Sequence, residues 1–287
     1  MEMLNMYALL DKERYAVNRL ILNEDVQREL SQSIRNSYKD FDYEFIDFDG
    51  SYKPDKDEAF VIQGFELAES IKKCGNDPIG QDLFRDKQSD LIALFTYIES
   101  EDAYVFQNIK RNQIFTRSGL SIFLDKDTFK KMDSLAISIN SEIDCVYKNN
   151  NLYFKSYWTA RQILDLRDHY KIATDKDLDE FIANDSIQVL CNDTFNSNAD
   201  AWVRRKISLI QDSGTLETFQ PRKIKEIAAD YSVDVQLSEN KIIVPNEKRE
   251  VKKLLKFLDE NIYKGPLTDE TYETNSKREF TARSQVQ

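Results

Sequence analysis

The sequence predicts an α+β protein, strand-rich in its N-terminal half and helix-rich in its C-terminal half. Three observations carry that prediction. Short apolar runs bounded by turn residues fill the first half. In the second, apolar residues recur at three- and four-residue spacing, the period of a helix packed on one face. Across all 287 residues, 41% are apolar and 11% aromatic, with only 7 Gly and 5 Pro. Such a chain buries a core and has little material for long linkers.

Taken in order, MYALL and YAVNRLIL flank Asp11-Lys12-Glu13 and read as a first pair of strands. Asn23 then offers a helix N-cap. Glu24 and Asp25 suit the first turn, and Val26, Leu30 and Ile34 recur every four residues. FDYEFIDFDG alternates and ends at a glycine turn, and AFVIQGFEL reads as a further strand. DLIALFTYI and AYVFQNI are strands separated by Glu99-Ser100-Glu101-Asp102. LAISIN and IDCVYKNNNLYFKSYW add more, the second a hairpin turning at Lys148–Asn151, where asparagine tolerates positive φ.

From there the pattern is helical: Trp158 to about His169, Asp175 to Ala183, Ala199 to Gln211, and Pro221 to Tyr231. A short hairpin, VDVQL-SEN-KIIV, precedes a closing helix from Asn246, and Gly265-Pro266 is expected to stop that helix. The shift in pattern divides the chain into a mixed domain, 1–140, and a hairpin-plus-helical domain, 141–287, with the second starting near Leu135 or later.

Several classes are excluded or disfavoured. No run approaches the roughly 20 apolar residues of a membrane span, and MEMLNMYALLDKERY lacks the basic start of a signal peptide. Cys74, Cys145 and Cys191 are odd in number and widely spaced, which fits reduced, mostly buried thiols in a cytoplasm. The net charge of −11 opposes nucleic-acid binding, yet it is unevenly spread. From Ala201 onward there are 16 Lys and Arg against 14 Asp and Glu; the first 200 residues hold 24 against 37. The last third can therefore present a basic face.

Catalytic signatures are missing. No GxxxxGKS, GxGxxG, GxSxG or HExxH occurs, and the single histidine, His169, lacks zinc-ligand partners. Glu239-Asn240-Lys241 has the Glu-x-Lys spacing of metal-dependent nucleases, but it falls on a hairpin tip with no carboxylate strand ahead of it. The expectation is no catalytic residues, no metal and no cofactor.

Cations are the chemistry that is present. In the closing helix Val251, Leu254, Leu255, Leu258 and Ile262 should face the core. Lys248, Lys252 and Lys256 lie four apart on another side, with Arg249 and Lys253 beside them. Arg204, Arg205 and Lys206 open an earlier helix after Trp202, and Arg222, Lys223 and Lys225 open another after Pro221. If they converge they form a phosphate-tracking groove. The alternative is a solvated face balanced by Glu226, Glu247 and Glu250.

The closing stretch, LLKFLDENIYKGPLTDETYETNSKREF, resembles the C-terminal signature of the KwaB family of the Kiwa anti-phage defence system. That signature is a leucine-rich helix ending in Leu-x-Asp, then a Leu-Thr pair, a tyrosine and a polar Ser-Lys tail. It falls here on Leu254, Leu255, Leu258, Asp259, Leu267, Thr268, Tyr272, Ser276 and Lys277. AFVIQGFEL, IDCVYKNNNLYFKSYWTARQIL, VRRKISLIQ and VDVQLSENKIIV agree in order, so the similarity covers most of the chain after about residue 55.

The resemblance implies a nonenzymatic effector that binds double-stranded phage DNA without sequence preference, blocking phage DNA replication and expression. It implies a KwaA-like transmembrane partner, a homodimer, and a cytoplasmic protein recruited to the inner face of the cell membrane. A metal-dependent nuclease with an unrecognised site and a protein-binding assembly subunit are the alternatives.

Overall fold

The chain folds into two units, Met1–Gly50 with Pro54–His169, and Ser51–Lys53 with Tyr170–Gln287. The structure, a computed structural model, describes residues 3–11, 14–80, 82–84, 91–115, 122–132, 136–140 and 142–278. Lys12, Glu13, Leu135 and the last residues of the quoted tail, Glu279 and Phe280, lie outside them.

In chain order the first unit holds β1 (Met6–Asp11), β2 (Ala16–Leu20), α1 (Glu24–Lys39), β3 (Glu44–Asp47), β4 (Glu58–Ile62) and α2 (Glu69–Asn76). There follow β5 (Ala93–Ile98), β6 (Ala103–Asn108), β7 (Ile114–Phe115), β8 (Ile122–Asp125), β9 (Thr128–Lys131) and β10 (Ala136–Ile137). The unit closes with β11 (Cys145–Lys148), β12 (Asn151–Phe154) and α3 (Tyr157–Ile163). Eight strands form one sheet, β2-β1-β5-β6-β11-β12-β4-β3, antiparallel throughout except for the β3–β4 pair.

Local chemistry sets this register. Asp102 (φ 48°) turns β5 into β6, and Asn149 and Asn150 (φ 52° and 58°) turn β11 into β12, the mirror-image turn that matches strand twist. Asn23 Oδ1 accepts the Val26 N–H at 2.9 Å and starts α1. One sheet face, with Met6, Ala8, Leu94, Val105 and Val146, packs toward Ile34 on α1. The other carries Tyr7, Phe95, Phe106 and Phe154, all at most 1% exposed, with Tyr7 stacked on Phe95 and Phe95 on Phe106. There α2 is held by Tyr7 and Tyr104, whose hydroxyls donate to the Cys74 and Lys72 carbonyls. Gly75 lets α2 approach, because a Cβ there would lie 2.5 Å from the Tyr104 hydroxyl. Burial on both faces explains why β4, β5 and β6 read as continuous apolar runs.

The second unit runs α4 (Asp175–Ala183), β13 (Ile187–Val189), α5 (Asn192–Asn198), α6 (Ala201–Ser213), α7 (Thr215–Thr218) and α8 (Pro221–Asp230). It continues with β14 (Leu237–Ser238), β15 (Lys241–Val244), α9 (Lys248–Leu258), β16 (Ile262–Lys264) and β17 (Thr271–Glu273). A three-stranded sheet, β13-β15-β14, shares one core with the helices, including Phe181, Phe195, Ile207, Ile242, Val251 and Leu255.

Three expectations change. The hairpin β11–β12 does not open the second unit; it lies inside the first sheet, between β6 and β4, because its apolar residues complete that core. The helix expected to reach His169 ends at Ile163, where Leu164 and Leu166 turn inward as extended or irregular chain. Gly265-Pro266 does not stop α9. Glu260 does, in the left-handed region (φ 52°), with its N–H on the Phe257 carbonyl and the Asn261 N–H on that of Lys256, a Schellman closure. Gly265 instead lies in the β16–β17 turn, where a Cβ would sit 2.7 Å from the Thr268 hydroxyl oxygen. Cys74 and Cys145 are buried and Cys191 is exposed, in keeping with mostly buried thiols.

The tail folds back within this second unit. The Lys53 N–H donates to Ser276 Oγ at 2.9 Å, the Lys277 N–H donates to the Ser51 carbonyl at 3.1 Å, and the Arg278 guanidinium lies 4.9 Å from the Tyr52 ring centre. The 51–53 segment belongs to the connection between β3 and β4, parallel neighbours that no tight turn can join.

Candidate nucleic-acid interface

The cations predicted from sequence divide into an inward set and an outward set. In α9, Val251, Leu254, Leu255 and Leu258 point into the core, as their spacing requires. Lys248, Lys252 and Lys256 do share a side of the helix, but that side meets carboxylates. Asp200 takes Lys248 at 2.9 Å and Lys252 at 3.2 Å, and Glu273 on β17 pairs with Lys256. The Lys252 ammonium also lies 5.1 Å from the Trp202 ring centre, as a cation over an aromatic face does.

Asp200 is the hub of this arrangement. It is the N-cap of α6, its Oδ1 accepting the Val203 N–H at 3.0 Å. Partial burial pushes its carboxyl up. The Val203 N–H and the two ammoniums outweigh that and hold it well below the usual carboxylate range. A depressed carboxylate contributes stability above its unfolded value near pH 4 and loses it as pH falls through the folded value. Asp200→Ala should therefore lower stability by about 1–2 kcal/mol at pH 7, chiefly through the lost cap, since the ion pairs are over a third exposed. Asp200→Asn, which keeps a capping oxygen, should retain most of it. Urea melts at pH 7 and pH 3 check both, with the wild-type advantage expected to shrink at pH 3.

At the start of α6 the three predicted cations are engaged. Arg204 donates to the Ala173 and Ala199 carbonyls and to Asp175 at 2.6 Å. Arg205 is buried, donating to the Lys171 carbonyl at 2.8 Å with its guanidinium 4.2 Å from the Tyr170 ring centre. Lys206 pairs with Asp259 and Asn261, both buried. Asp259, at the C-terminal end of α9 where a carboxylate opposes the helix dipole, also takes Lys277 at 3.2 Å, so two cations offset it.

The outward set is Arg222 and Lys225 on α8, and Arg249 and Lys253 on α9, all exposed. Lys223, also exposed, pairs with Glu226 at 3.2 Å. Pro221 occupies the first position of α8, whose N-cap Gln220 makes no side-chain capping bond. Pro221 has no N–H, and the Lys223 and Ile224 N–H groups donate to the Gln220 carbonyl, so it is the positive end of the helix dipole that accompanies Arg222 and favours a phosphate oxygen.

Sequence reasoning missed Asp200, Asp175 and Glu273, the carboxylates that occupy the inward set. Asp200 was legible as an N-cap; the other two meet their partners only through tertiary packing. Glu239 and Asn240 adopt positive φ at the tip between β14 and β15. Among the described residues, no group of three or more His, Cys, Asp or Glu side chains is placed to hold a metal ion, and no helix is long and apolar enough to cross a membrane.

A family model described as Kiwa protein KwaB-like matches residues 89–268, more than half the chain and parts of both units. No curated protein and no solved structure matches.

Proposed function

The chain belongs to the Kiwa protein KwaB-like family, a component of Kiwa anti-phage defence, and on that premise we propose that it binds double-stranded DNA by backbone contacts and performs no chemistry on it. The observation that carries this reading is the outward set, Arg222, Lys225, Arg249 and Lys253, on a protein that is otherwise strongly acidic. Lys and Arg neutralise phosphates without reading bases, so the binding is indifferent to sequence. In this reading the chain acts as a homodimer, and a KwaA-like transmembrane protein brings it to the inner face of the cell membrane. Bound phage DNA is then withheld from replication and expression.

Gel shifts on duplex DNA with and without magnesium test it. A shift with intact DNA in both lanes is expected. Magnesium-dependent cleavage would establish a nuclease instead, and no shift would leave the protein-binding assembly role. The residues are tested by salt titration, because log K falls with log salt by about 0.9 for each duplex phosphate neutralised. Replacing Arg222, Lys225, Arg249 and Lys253 together by Ala should flatten that slope by roughly 3–4 units on unrelated sequences alike. Alanine keeps the helices. Replacing Lys248, Lys252 and Lys256 should instead lower the melting temperature and leave the slope nearly unchanged. The reverse pattern would return the interface to the lysine stripe.

A further inference from the structure

The first unit contains a cleft of about 520 Å³ that the DNA-binding reading does not use. The last turns of α1 contribute Ser33, Asn36, Ser37 and Asp40. The chain after α1 adds Phe41 and Tyr43, the segment before β11 adds Glu142 and Asp144, and the entry to α3 adds Lys155 and Thr159. Its volume falls in the range of small-molecule sites.

The charges are unbalanced. Asp40, Glu142 and Asp144 line the cleft with Lys155 as the one cation among its described lining residues, while Lys110, outside the lining, acts on Asp144 through its charge. Lys155 makes no ion pair with them; its ammonium lies 4.1 Å from the centre of the Tyr43 ring. Asp40 also closes α1, a helix of 16 residues, so the negative end of that helix dipole adds to the carboxylates. The walls are fixed before any ligand arrives. Asp144 Oδ2 accepts the Asn108 N–H at 2.7 Å, Ser37 Oγ accepts the Ile143 N–H at 3.2 Å, and Phe41 meets Tyr43 edge-on at 5.2 Å. Burial pushes the Asp144 carboxyl up by more than the Asn108 N–H and the charge of Lys110 draw it down, a cost that a cation in the cleft would relieve further.

We propose that this cleft binds an organic cation, an alkylammonium or guanidinium group that sits among Asp40, Glu142 and Asp144 and takes over the face of Tyr43 from Lys155. An anion would meet three carboxylates, and a neutral ligand would gain nothing from them. Lys155 over Tyr43 already shows the contact the ligand's cation would make. The shared chemistry has two sources, a free polyamine or the basic side chains of another protein.

Titration calorimetry on the full chain at fixed ionic strength separates them, using spermidine and a blocked di-arginine peptide as probes and inorganic phosphate as the anion control. Saturable binding of one or both cations, with none of phosphate, is expected, and the tighter probe assigns the source. Asp40→Asn with Asp144→Asn should weaken binding roughly tenfold or more, as expected for lost charge-assisted bonds. Asp179→Asn with Asp193→Asn, on exposed helix surfaces of the second unit, should not. Equal weakening by both pairs would mean diffuse attraction to an acidic protein and overturn the site. Lys155→Met keeps the cleft and removes the internal competitor, so it should tighten binding several-fold. Unchanged or weaker binding in that variant, or no saturable binding of either cation to the wild type, would also overturn it.

Discussion

Leu254→Ala and Leu258→Ala should each destabilise the protein by roughly 2–5 kcal/mol, the range for truncating a buried leucine. Both side chains are nearly excluded from solvent, at 4% and 2% exposure, in the core that α9 shares with the other helices of the second unit. Each loses transfer energy and leaves a cavity that rigid neighbours only partly fill. Leu267 is the internal control. It belongs to the same C-terminal signature but is 97% exposed, so Leu267→Ala should stay within about 0.5 kcal/mol of wild type. Equilibrium urea melts decide the matter. Wild-type midpoints for the Leu254 and Leu258 variants would mean that α9 does not pack on the sheet and α6.

The second large effect is expected at Lys206. Its side chain is 14% exposed and that of its partner Asp259 5%, so Lys206→Met leaves a buried carboxylate with Lys277 as its remaining ion-pair partner among the described residues. Breaking such a pair from one side typically costs 3–5 kcal/mol, and the remaining Lys277 contact places this case near 3 kcal/mol. Adding Asp259→Leu should recover much of the loss, because the stranded charge is then gone. A Lys206→Met protein that melts like wild type would show that the pair holds nothing together.

Much of the fold was legible because the relevant chemistry is local. Asn23 as a cap, the Asn149-Asn150 turn and the leucine spacing of α9 each act within a few residues of themselves. What failed depended on partners far along the chain. Nothing near β11 and β12 says whether they join the strands before them or the helices after them; the free sheet edges of β6 and β4 decide that. Strand β13 was hidden by its length of three residues and by its partner β15, more than 50 residues away. The β8–β9 hairpin was missed because Ile122, Leu124 and Phe129 are exposed, and no core face imposes a readable alternation on it.

The candidate interface was half legible for a related reason. Periodicity placed Lys248, Lys252 and Lys256 on one side of α9, but it cannot say what that side faces. The signature residues that carry the family resemblance are largely structural here. The leucines fill the core, Asp259 gathers Lys206 and Lys277, and Ser276 with Lys277 holds the 51–53 segment.

That last contact bears on how the protein is made. Ser276 meets Lys53 across 223 residues of chain. At synthesis rates of roughly 5–20 residues per second, the 51–53 segment leaves the ribosome about 10–45 s before its partner exists. The second unit therefore cannot make this contact until Ser276 has been synthesised, long after the 51–53 segment. A chain interrupted after α9 would carry the buried core residues of that unit and still lack the tail that fastens the 51–53 segment to it.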